Sequence, residues 1–296
     1  MEIALETKGL SKFYNDLVAL DSLNLSVKKG EVLGFLGPNG AGKTTTIRAI
    51  LGLIKPSAGT AEIFGLDVST HKVETHKKIA YVPGEATFWP GLTGEETLHL
   101  LAKLHGKVDE QYQAHLVKLF DFEPSRKVRT YSKGNKQKIN LIAALATRAE
   151  LLILDEPTSG LDPIMEQAFR ECILEAKSAG QTVFLSSHIL EEVEALCDRI
   201  GILRKGKLVE LGTLSELRHL SAVTIEATFL GKVPDVSKVS GVKRVKVTGH
   251  KLECQVHGSI EPLLVLLSKT DIVKLLSREP SLEELFLTLY GTDEKE

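Results

Sequence analysis

One stretch of sequence, residues 32–50, restricts the fold of this chain more than any other. It contains the pattern G-x-x-x-x-G-K-[ST], which forms phosphate-binding loops when a strand precedes it and a helix follows. A short apolar run at 32–36 precedes the pattern, as a buried strand would, and residues 45–53 have helical periodicity. The sequence therefore predicts a nucleotide site, whose residues are Gly37, Pro38, Asn39, Gly40, Ala41, Gly42, Lys43, Thr44 and Thr45.

The residue types in this loop suit the phosphates of a nucleotide and a bound magnesium ion. Glycines let successive backbone N–H groups point inward, and the N-terminus of the following helix adds partial positive charge. We expect Lys43 to reach the outer phosphates and the Thr44 hydroxyl to hold Mg²⁺.

Composition is ordinary for a soluble globular protein and excludes several classes of function. The 296 residues, 43% hydrophobic and 26% charged, suffice for one large domain or two smaller ones. The net charge of −2 gives no basic excess, so no nucleic-acid partner is expected. Three widely spaced cysteines predict free thiols in a reduced, cytosolic setting. We find no secretory signal and no apolar run long enough for a membrane span, so a role at a membrane requires another chain.

A second apolar run, residues 151–154, ends in the adjacent carboxylates Asp155 and Glu156. Carboxylates beside a buried strand are unfavourable without a function, and in a phosphate-loop fold they lie at the magnesium end of the site. We expect Asp155 to hold the metal, directly or through water, and Glu156 to accept a proton from the attacking water. His188 ends a further predicted strand at the same sheet edge. This placement favours a functional role over the structural role that is more usual for a lone histidine.

The predicted strands and helices alternate except in one helical stretch, about residues 84–148. Thr93 followed by Glu96 predicts a capping box at the start of this stretch. Near its end, Ser132 and Gly134 precede a helix predicted over residues 139–146. A serine there suits an anion, but helix capping is the more usual reason for it. We expect a helical subdomain inserted into an α/β domain of residues 1–220.

Together these motifs resemble the nucleotide-binding subunit of ABC transporters over about residues 1–220. GPNGAGKT at 37–44 resembles the Walker A loop, and LLILDEP at 151–157 resembles Walker B with the catalytic glutamate. SGLD at 159–162 resembles the D-loop, and YSKGN at 131–135 resembles the signature LSGGQ. The resemblance implies an ABC-type α/β core. That core has a mixed sheet flanked by helices, a small antiparallel β subdomain and the helical insertion.

The resemblance also implies roles for single residues. Tyr14 falls at the aromatic position that stacks on adenine, and His188 falls at the switch histidine. Ser132 and Gly134 would bind the γ-phosphate of ATP held by a partner subunit, and Asn135 and Asp162 would belong to the same composite nucleotide site. Two subunits, identical or related, would close head to tail on ATP and Mg²⁺ and reopen after hydrolysis. This cycle would drive transmembrane permease subunits from the cytoplasmic face of the membrane.

Two departures from the family pattern stand out. Gly84 occupies the place of the glutamine of the Q-loop, where it offers no side chain to magnesium or water; Glu85 or a water is expected to substitute. In the signature, Tyr131, Lys133 and Asn135 replace leucine, glycine and glutamine. Lys133 is either a helpful cation near an anion or a solvated surface lysine.

Residues 221–296 have a different pattern, which predicts a small C-terminal α+β domain. Strands are expected at 223–229, 242–248, 251–256 and 272–276, and helices at 260–267 and 282–290. The ending, residues 280–286, resembles the tail of ABC subunits that pair with multidrug- or antibiotic-type export permeases. The domain contains no ligand motif; padding a dimer interface or folding back on the main domain is favoured over binding a regulator.

Two alternative functions remain open from the sequence. A soluble ABC ATPase that remodels ribosomes or nucleic acid usually has two nucleotide units or a long coiled-coil insertion, and this chain has neither. A regulatory module that binds nucleotide without turnover is consistent with Gly84, but Glu156 and His188 argue against it.

Overall fold

The computed structural model describes residues 2–219, 223–278 and 284. The chain forms two compact units, residues 1–211 and 212–296. The helix that the sequence predicts over 282–290 lies outside the described residues, apart from position 284.

The first unit alternates strands and helices. Its strands are β1 (Ile3–Tyr14), β2 (Leu17–Lys28), β3 (Val32–Leu36), β4 (Ala58–Ile63), β5 (Leu66–Asp67), β6 (Ile79–Val82), β7 (Leu151–Asp155), β8 (Thr182–Ser187), β9 (Arg199–Arg204) and β10 (Lys207–Gly212). Its helices are α1 (Lys43–Ile50), α2 (Lys72–His76), α3 (Gly94–His105), α4 (Glu110–Leu119), α5 (Lys133–Leu145), α6 (Pro163–Ser178) and α7 (Leu190–Leu196), with a short 3₁₀ helix at Val128–Thr130.

A six-stranded sheet in the order β10-β9-β3-β8-β7-β6 forms the centre of this unit. Strand β3 pairs in parallel with β8 and β9, and β7 pairs in parallel with β6 and β8. Every residue of β3, β7 and β8 is buried, which explains why the apolar residues in their sequences are consecutive rather than alternating. Because the strands are parallel, the loops after β3, β7 and β8 leave from one edge of the sheet.

A four-stranded sheet in the order β2-β1-β4-β5 packs with α1 and β3 around a second core. Its antiparallel hairpin β1–β2 is longer than the strands that the sequence predicts at 3–7 and 23–27. Several register shifts interrupt the pairing. These irregularities break the period-two pattern, so the outer half of the hairpin carries no clear strand signal.

The predicted all-helical stretch contains α3, α4 and α5. The capping box is confirmed, because the Thr93 hydroxyl accepts a hydrogen bond from the Glu96 backbone and the Glu96 carboxylate accepts one from the Thr93 backbone. Helix α5 begins at Lys133, so the predicted start at 139 is wrong. Its first turn is polar and partly exposed, and therefore lacks the apolar periodicity on which the prediction rested.

The second unit is a small α+β fold, as expected. It contains α8 (Leu214–His219), β11 (Val223–Phe229), β12 (Val242–Thr248), β13 (Lys251–Val256), α9 (Glu261–Leu267) and β14 (Ile272–Arg278). The strands form an antiparallel sheet in the order β12-β13-β11-β14. Leu263 and Leu267 of α9 pack with Ile225 and Leu252 in a core separate from those of the first unit.

Candidate active site

The phosphate loop follows β3 and leads into α1, as the motif predicts. Two positions of the loop must be glycine because neighbouring backbone carbonyls lie too close for a Cβ. A Cβ on Gly37 would lie 2.7 Å from the carbonyl oxygen of Leu203, and one on Gly42 would lie 2.7 Å from that of Ala19. Gly42 also has φ of 112°, a conformation that other residues rarely adopt. The loop is thus held between β2 and the end of β9 with no room for side chains at these two positions.

The tip of the loop is open to solvent. Pro38, Asn39 and Gly40 are exposed, and the Ala41 amide donates to the Pro38 carbonyl at 3.1 Å, which closes a tight turn. The last two residues of the predicted site, Thr44 and Thr45, are half-buried in the first turn of α1. A ligand can therefore reach both the tip of the loop and the N-terminus of the helix.

Lys43 lies under the loop and is only 5% exposed. Its ammonium donates to the carbonyls of Gly37 at 2.7 Å and Pro38 at 3.3 Å. It also lies 3.1 Å from Oε1 of Glu156. The positive charge is therefore fixed between the phosphate loop and the end of β7, where it faces the proposed catalytic carboxylate.

Glu156 brings the predicted residues together. Its second carboxylate oxygen, Oε2, lies 3.4 Å from Nδ1 of His188, which follows β8 and is half-exposed. The Glu156 backbone has φ of 48°, and its amide donates to both the carbonyl (3.1 Å) and the hydroxyl (3.2 Å) of Ser186. Strained backbone of this kind persists where surrounding contacts determine it, and it is frequent at functional sites.

Asp155 is almost completely buried, with 3% of its surface exposed. Its carboxylate accepts a hydrogen bond of 2.7 Å from the hydroxyl of Ser186. Ser186 thus anchors both acidic residues, and the sequence analysis missed it. Two serines at the end of the apolar strand β8 were the available signal, because a buried hydroxyl needs a partner.

Gly84, at the place of the Q-loop glutamine, lies directly against Asp155. A Cβ on Gly84 would be 3.2 Å from the carbonyl oxygen of Asp155 and 3.9 Å from its carboxyl carbon. The backbone after β6 therefore occupies the space next to the buried carboxylate. Burial and the nearby Asp155 carboxylate also raise the pKa of Tyr81 on β6 to about 12.

Tyr14 lies at the end of the β1–β2 hairpin, where it pairs with Leu17. Its ring is 44% exposed, and the ammonium of Lys12 lies 4.8 Å from the ring centroid. The same hairpin contacts the phosphate loop through Ala19 and Gly42. An exposed aromatic ring on the element that supports the loop agrees with the predicted stacking position, which stays a prediction.

The signature turn, residues 131–135, lies at the N-terminus of α5. Ser132 is the N-cap, and its hydroxyl accepts from the Asn135 amide at 3.2 Å. Gly134 contacts the backbone of Gly160. No hydrogen bond or ion pair within the described residues joins this turn to Lys43 or His188. The structure of one chain therefore does not assemble the signature with the phosphate loop.

Asp162 has a clear structural role in the single chain. It caps α6, since its carboxylate accepts from the amides of Ile164 at 3.1 Å and Met165 at 3.0 Å, with Pro163 in the first helical position. Its assignment to a nucleotide site stays a prediction.

A second buried carboxylate, Glu192 on α7, lies behind the site. Only 2% of the residue is exposed, and its Oε2 accepts from the hydroxyl of Ser187 at 2.6 Å. Burial raises the pKa of Glu192, which hydrogen bonds from Ser187 and Thr158 oppose. Glu192 thereby anchors the end of β8, the strand that precedes His188.

Comparison with known proteins places this geometry in a family. The profile of the ABC transporter family matches residues 20–159. The linearmycin resistance ATP-binding protein LnrL of Bacillus subtilis (strain 168) is 33% identical over 97% of this chain and 98% of its own. The chain belongs to the ATP-binding proteins of ABC transporters. The bacitracin transport ATP-binding protein BcrA of Bacillus licheniformis is 36% identical, over 98% of each chain.

Solved structures agree with this family assignment. An ATP-binding subunit of an ABC transporter superposes with a TM-score of 0.69 at 35% identity, over 73% of this chain and 92% of that one. This ABC protein is an ATP-binding and ATP-hydrolysing subunit, and the ABC fold predicted from its sequence is confirmed. In the described part of the chain, no helix combines the length and the apolar character needed to cross a bilayer.

Proposed function

We propose that this ABC subunit hydrolyses Mg-ATP with Glu156 as general base and that hydrolysis powers an exporter. One observation carries the assignment: the carboxylate of Glu156 lies between the ammonium of Lys43 at 3.1 Å and the imidazole of His188 at 3.4 Å. A base, a phosphate-binding cation and an imidazole that contacts the base thus meet at the edge where the phosphate loop opens. Phosphoryl transfer depends mainly on positioning and on charge stabilisation, which these groups supply.

Each residue has a distinct role in this proposal. Lys43 exchanges its contact with Glu156 for the outer phosphates of ATP, since an ammonium has three donors and the loop carbonyls already orient it. Glu156, once released, accepts a proton from the attacking water. His188 holds the carboxylate and the γ-phosphate side of the site in place. Tyr14 stacks on the adenine.

Magnesium fits the oxygen donors present. The Asp155 carboxylate is buried, and the hydrogen bond from Ser186 orients it. Together with the Thr44 hydroxyl it offers the hard oxygen ligands that Mg²⁺ prefers. The described residues contain no group of three or more His, Cys, Asp or Glu side chains that could hold a metal. Asp155 and Thr44 would hold the ion, which would offset the negative charge of the phosphates.

A second subunit completes the site in this proposal. Among the described residues, no hydrogen bond or ion pair joins the signature turn to Lys43, yet Ser132 and Gly134 lie at a helix N-terminus, which suits a phosphate. We assign Ser132, Gly134 and Asn135 to the γ-phosphate of ATP held by a second ATP-binding subunit, with Asp162 in the adjoining loop. ATP closes the pair, and hydrolysis reopens it.

The transmembrane permease docks, in this proposal, at a groove of about 770 Å³ beside β6, α3 and α5. Val73 and Leu104 line it with 64% and 71% of their surfaces exposed, so the groove offers apolar surface to a partner. Pro83 and Glu85 line the groove, while Gly84 between them contacts Asp155. A permease that displaces Pro83 or Glu85 would therefore also displace the backbone next to Asp155, the proposed metal ligand. Docking there places the subunit at the cytoplasmic face of the membrane.

The relatives indicate the class of cargo. Their names state linearmycin resistance and bacitracin transport. We infer that the partner permease exports an antibiotic-type compound, with direction and specificity set by the permease.

Substitution of Glu156 by Gln tests the assignment. The variant keeps the size of the side chain but removes the base, so we expect the rate of ATP hydrolysis to fall at least about a hundredfold. We also expect the protein to accumulate as a stable dimer when Mg-ATP is present. Size-exclusion chromatography with light scattering and a phosphate-release assay measure both. Glu166→Gln, a change of the same kind on α6, serves as the control. A Glu156→Gln chain that stays monomeric and hydrolyses at the parental rate would show the assignment to be wrong.

A further inference from the structure

The first turn of α5 and the loop that follows Glu156 are joined at three points. Lys133 donates from its ammonium to the Ser159 hydroxyl at 2.9 Å. The buried Gln137 side chain donates to the Pro157 carbonyl at 2.8 Å. Gly134 contacts the carbonyl of Gly160. Contacts of both backbone and side chain thus bind the signature turn to the loop at 157–162.

The glycine contact fixes the distance between the two segments. A Cβ on Gly134 would overlap the carbonyl oxygen of Gly160, so the backbones meet directly. Gly160 has φ of 85°, a conformation that favours glycine, and its carbonyl lies against α5. Because the two backbones are in direct contact, α5 cannot move towards the loop without displacing it.

Helix stability does not explain why a lysine occupies position 133. A cation in the first turn is disfavoured by the helix dipole, and the first turn of α5 contains no acidic residue to offset it. Instead, the stem of Lys133 lies across Gly160, with Cγ and Cδ 3.4 Å from the point where a Cβ on Gly160 would be. Its ammonium then reaches Ser159. The position of the side chain is explained by the loop rather than by the helix.

The loop leads directly to the proposed base. The Ser159 amide donates to the carbonyl of Glu156 at 3.1 Å, so the residue that Lys133 holds is itself bonded to the backbone of Glu156. Only two residues separate Ser159 from Glu156. A displacement of Ser159 therefore changes the position of the Glu156 backbone, and with it the carboxylate between Lys43 and His188.

We propose that Lys133 is a positioning residue that couples the signature turn to the catalytic carboxylate through Ser159. The inference rests on the proposed function, in which residues 132–135 bind the ATP of a partner subunit. The segment that meets one ATP is then locked to the loop that places the base for the other ATP. Lys133 communicates the occupancy of one site to Glu156 of the second, without contact of its own with the reacting atoms.

The test compares Lys133→Met, Ser159→Ala and the double variant in the full chain. Methionine keeps the stem over Gly160 and removes the donor, whereas alanine removes the acceptor. We expect each single change to lower kcat for ATP hydrolysis about threefold to tenfold with KM unchanged, and the double variant to match the singles. Lys133→Arg, which keeps a donor, should recover most of kcat.

Lys136→Met is the matched control. It removes the same charge from the same end of α5, and within the described residues its ammonium makes no hydrogen bond or ion pair. We expect its kcat to stay within about twofold of the parental value, since the shared charge effect is small. Thermal melting of all variants shows whether a change in kcat reflects stability alone.

Three outcomes would overturn the proposal. These are a parental kcat for Ser159→Ala, losses that add in the double variant, or a rise in KM for Lys133→Met as large as the fall in kcat. Each would mean that Lys133 acts on the nucleotide directly or not at all. Glu156→Gln, measured in parallel, separates this failure from that of the proposed function, because it abolishes hydrolysis whatever Lys133 does.

Discussion

The ammonium of Lys43 and the carboxylate of Glu156 lie 3.1 Å apart, and the lysine that makes this contact is almost fully buried. A buried cation needs a compensating charge, and Glu156 together with two loop carbonyls supplies it. The pair therefore has two functions in the proposed cycle. It stabilises the loop before nucleotide binds. It also keeps the Glu156 carboxylate in contact with Lys43 until the phosphates of ATP take the place of the carboxylate.

Substitutions at the two residues of this pair should have different effects on the affinity for ATP. Lys43→Met removes the charge that attracts the phosphates, and we expect the Kd for ATP to rise about tenfold to a hundredfold because a charge-assisted contact is lost. Glu156→Gln should leave the Kd for ATP unchanged or lower it, since the carboxylate no longer competes for the ammonium. Fluorescent-nucleotide titration measures both values. Equal weakening by the two variants would contradict the exchange of partners.

Because Gly84 contacts Asp155, adding a single methyl group at position 84 should change the magnesium dependence of hydrolysis. In Gly84→Ala the new Cβ would lie 3.2 Å from the Asp155 carbonyl, which is tighter than nine in ten such contacts, so the segment around the buried carboxylate must shift by a few tenths of an ångström. We expect the Mg²⁺ concentration for half-maximal hydrolysis to rise about threefold, with binding of metal-free ATP unchanged. Gly91→Ala is a control, because a Cβ there meets nothing within 4 Å. An unchanged magnesium dependence would show that Gly84 does not influence the metal site.

Glu192 predicts a pH effect on stability. Burial raises the pKa of this carboxyl above its ordinary value of 4.5, so the folded protein retains the proton to higher pH than the unfolded chain does. The unfolded chain therefore binds fewer protons in this window, and stability falls as pH rises from about 4.5 towards the folded pKa. Glu192→Gln should remove this slope and keep the contacts with Ser187 and Thr158.

Urea unfolding between pH 4 and pH 8 measures the slope. Glu192→Ala should lower the free energy of unfolding by about 2 kcal/mol because the Ser187 hydroxyl loses its buried partner. Glu191→Gln, an exposed neighbour on α7, is the control. If Glu192→Gln and Glu191→Gln show the same pH dependence as the parent, burial of Glu192 does not influence stability in this range.

The sequence predicted the centre of the site because its signals are local. The apolar runs at 32–36 and 151–154 are uniformly apolar since both strands are buried on two faces, and the motif residues follow them directly. Parallel strands then bring Lys43, Glu156 and His188 to one edge. Family resemblance added the signature and the aromatic position, which no periodicity reveals.

The remaining features depend on tertiary contacts. Ser186 supports Asp155 from a different strand, and Lys133 reaches Ser159 across 26 positions of sequence. The start of α5 was missed because a capped, polar first turn has no apolar face to detect. No local pattern encodes such pairs. The sequence alone therefore predicts which residues form the site, but not the distant residues that hold them in position.

A mixing experiment tests the central claim, that two copies share each ATP site, most directly. One copy carries Glu156→Gln and the other carries Ser132→Ala, which removes the signature hydroxyl without added bulk. In a head-to-tail dimer of the two, one site combines an intact Glu156 from one copy with an intact Ser132 from the other. Neither variant alone contains such a site.

The account predicts that the mixture hydrolyses ATP faster than the average of the two separate variants at the same total protein concentration. Half of the dimers are mixed and each has one intact site of two, so the mixed dimers should contribute up to about a quarter of parental turnover. A mixture whose rate equals the average of the two separate variants would contradict the account, because a signature that acts within its own chain gives no intact site in any combination.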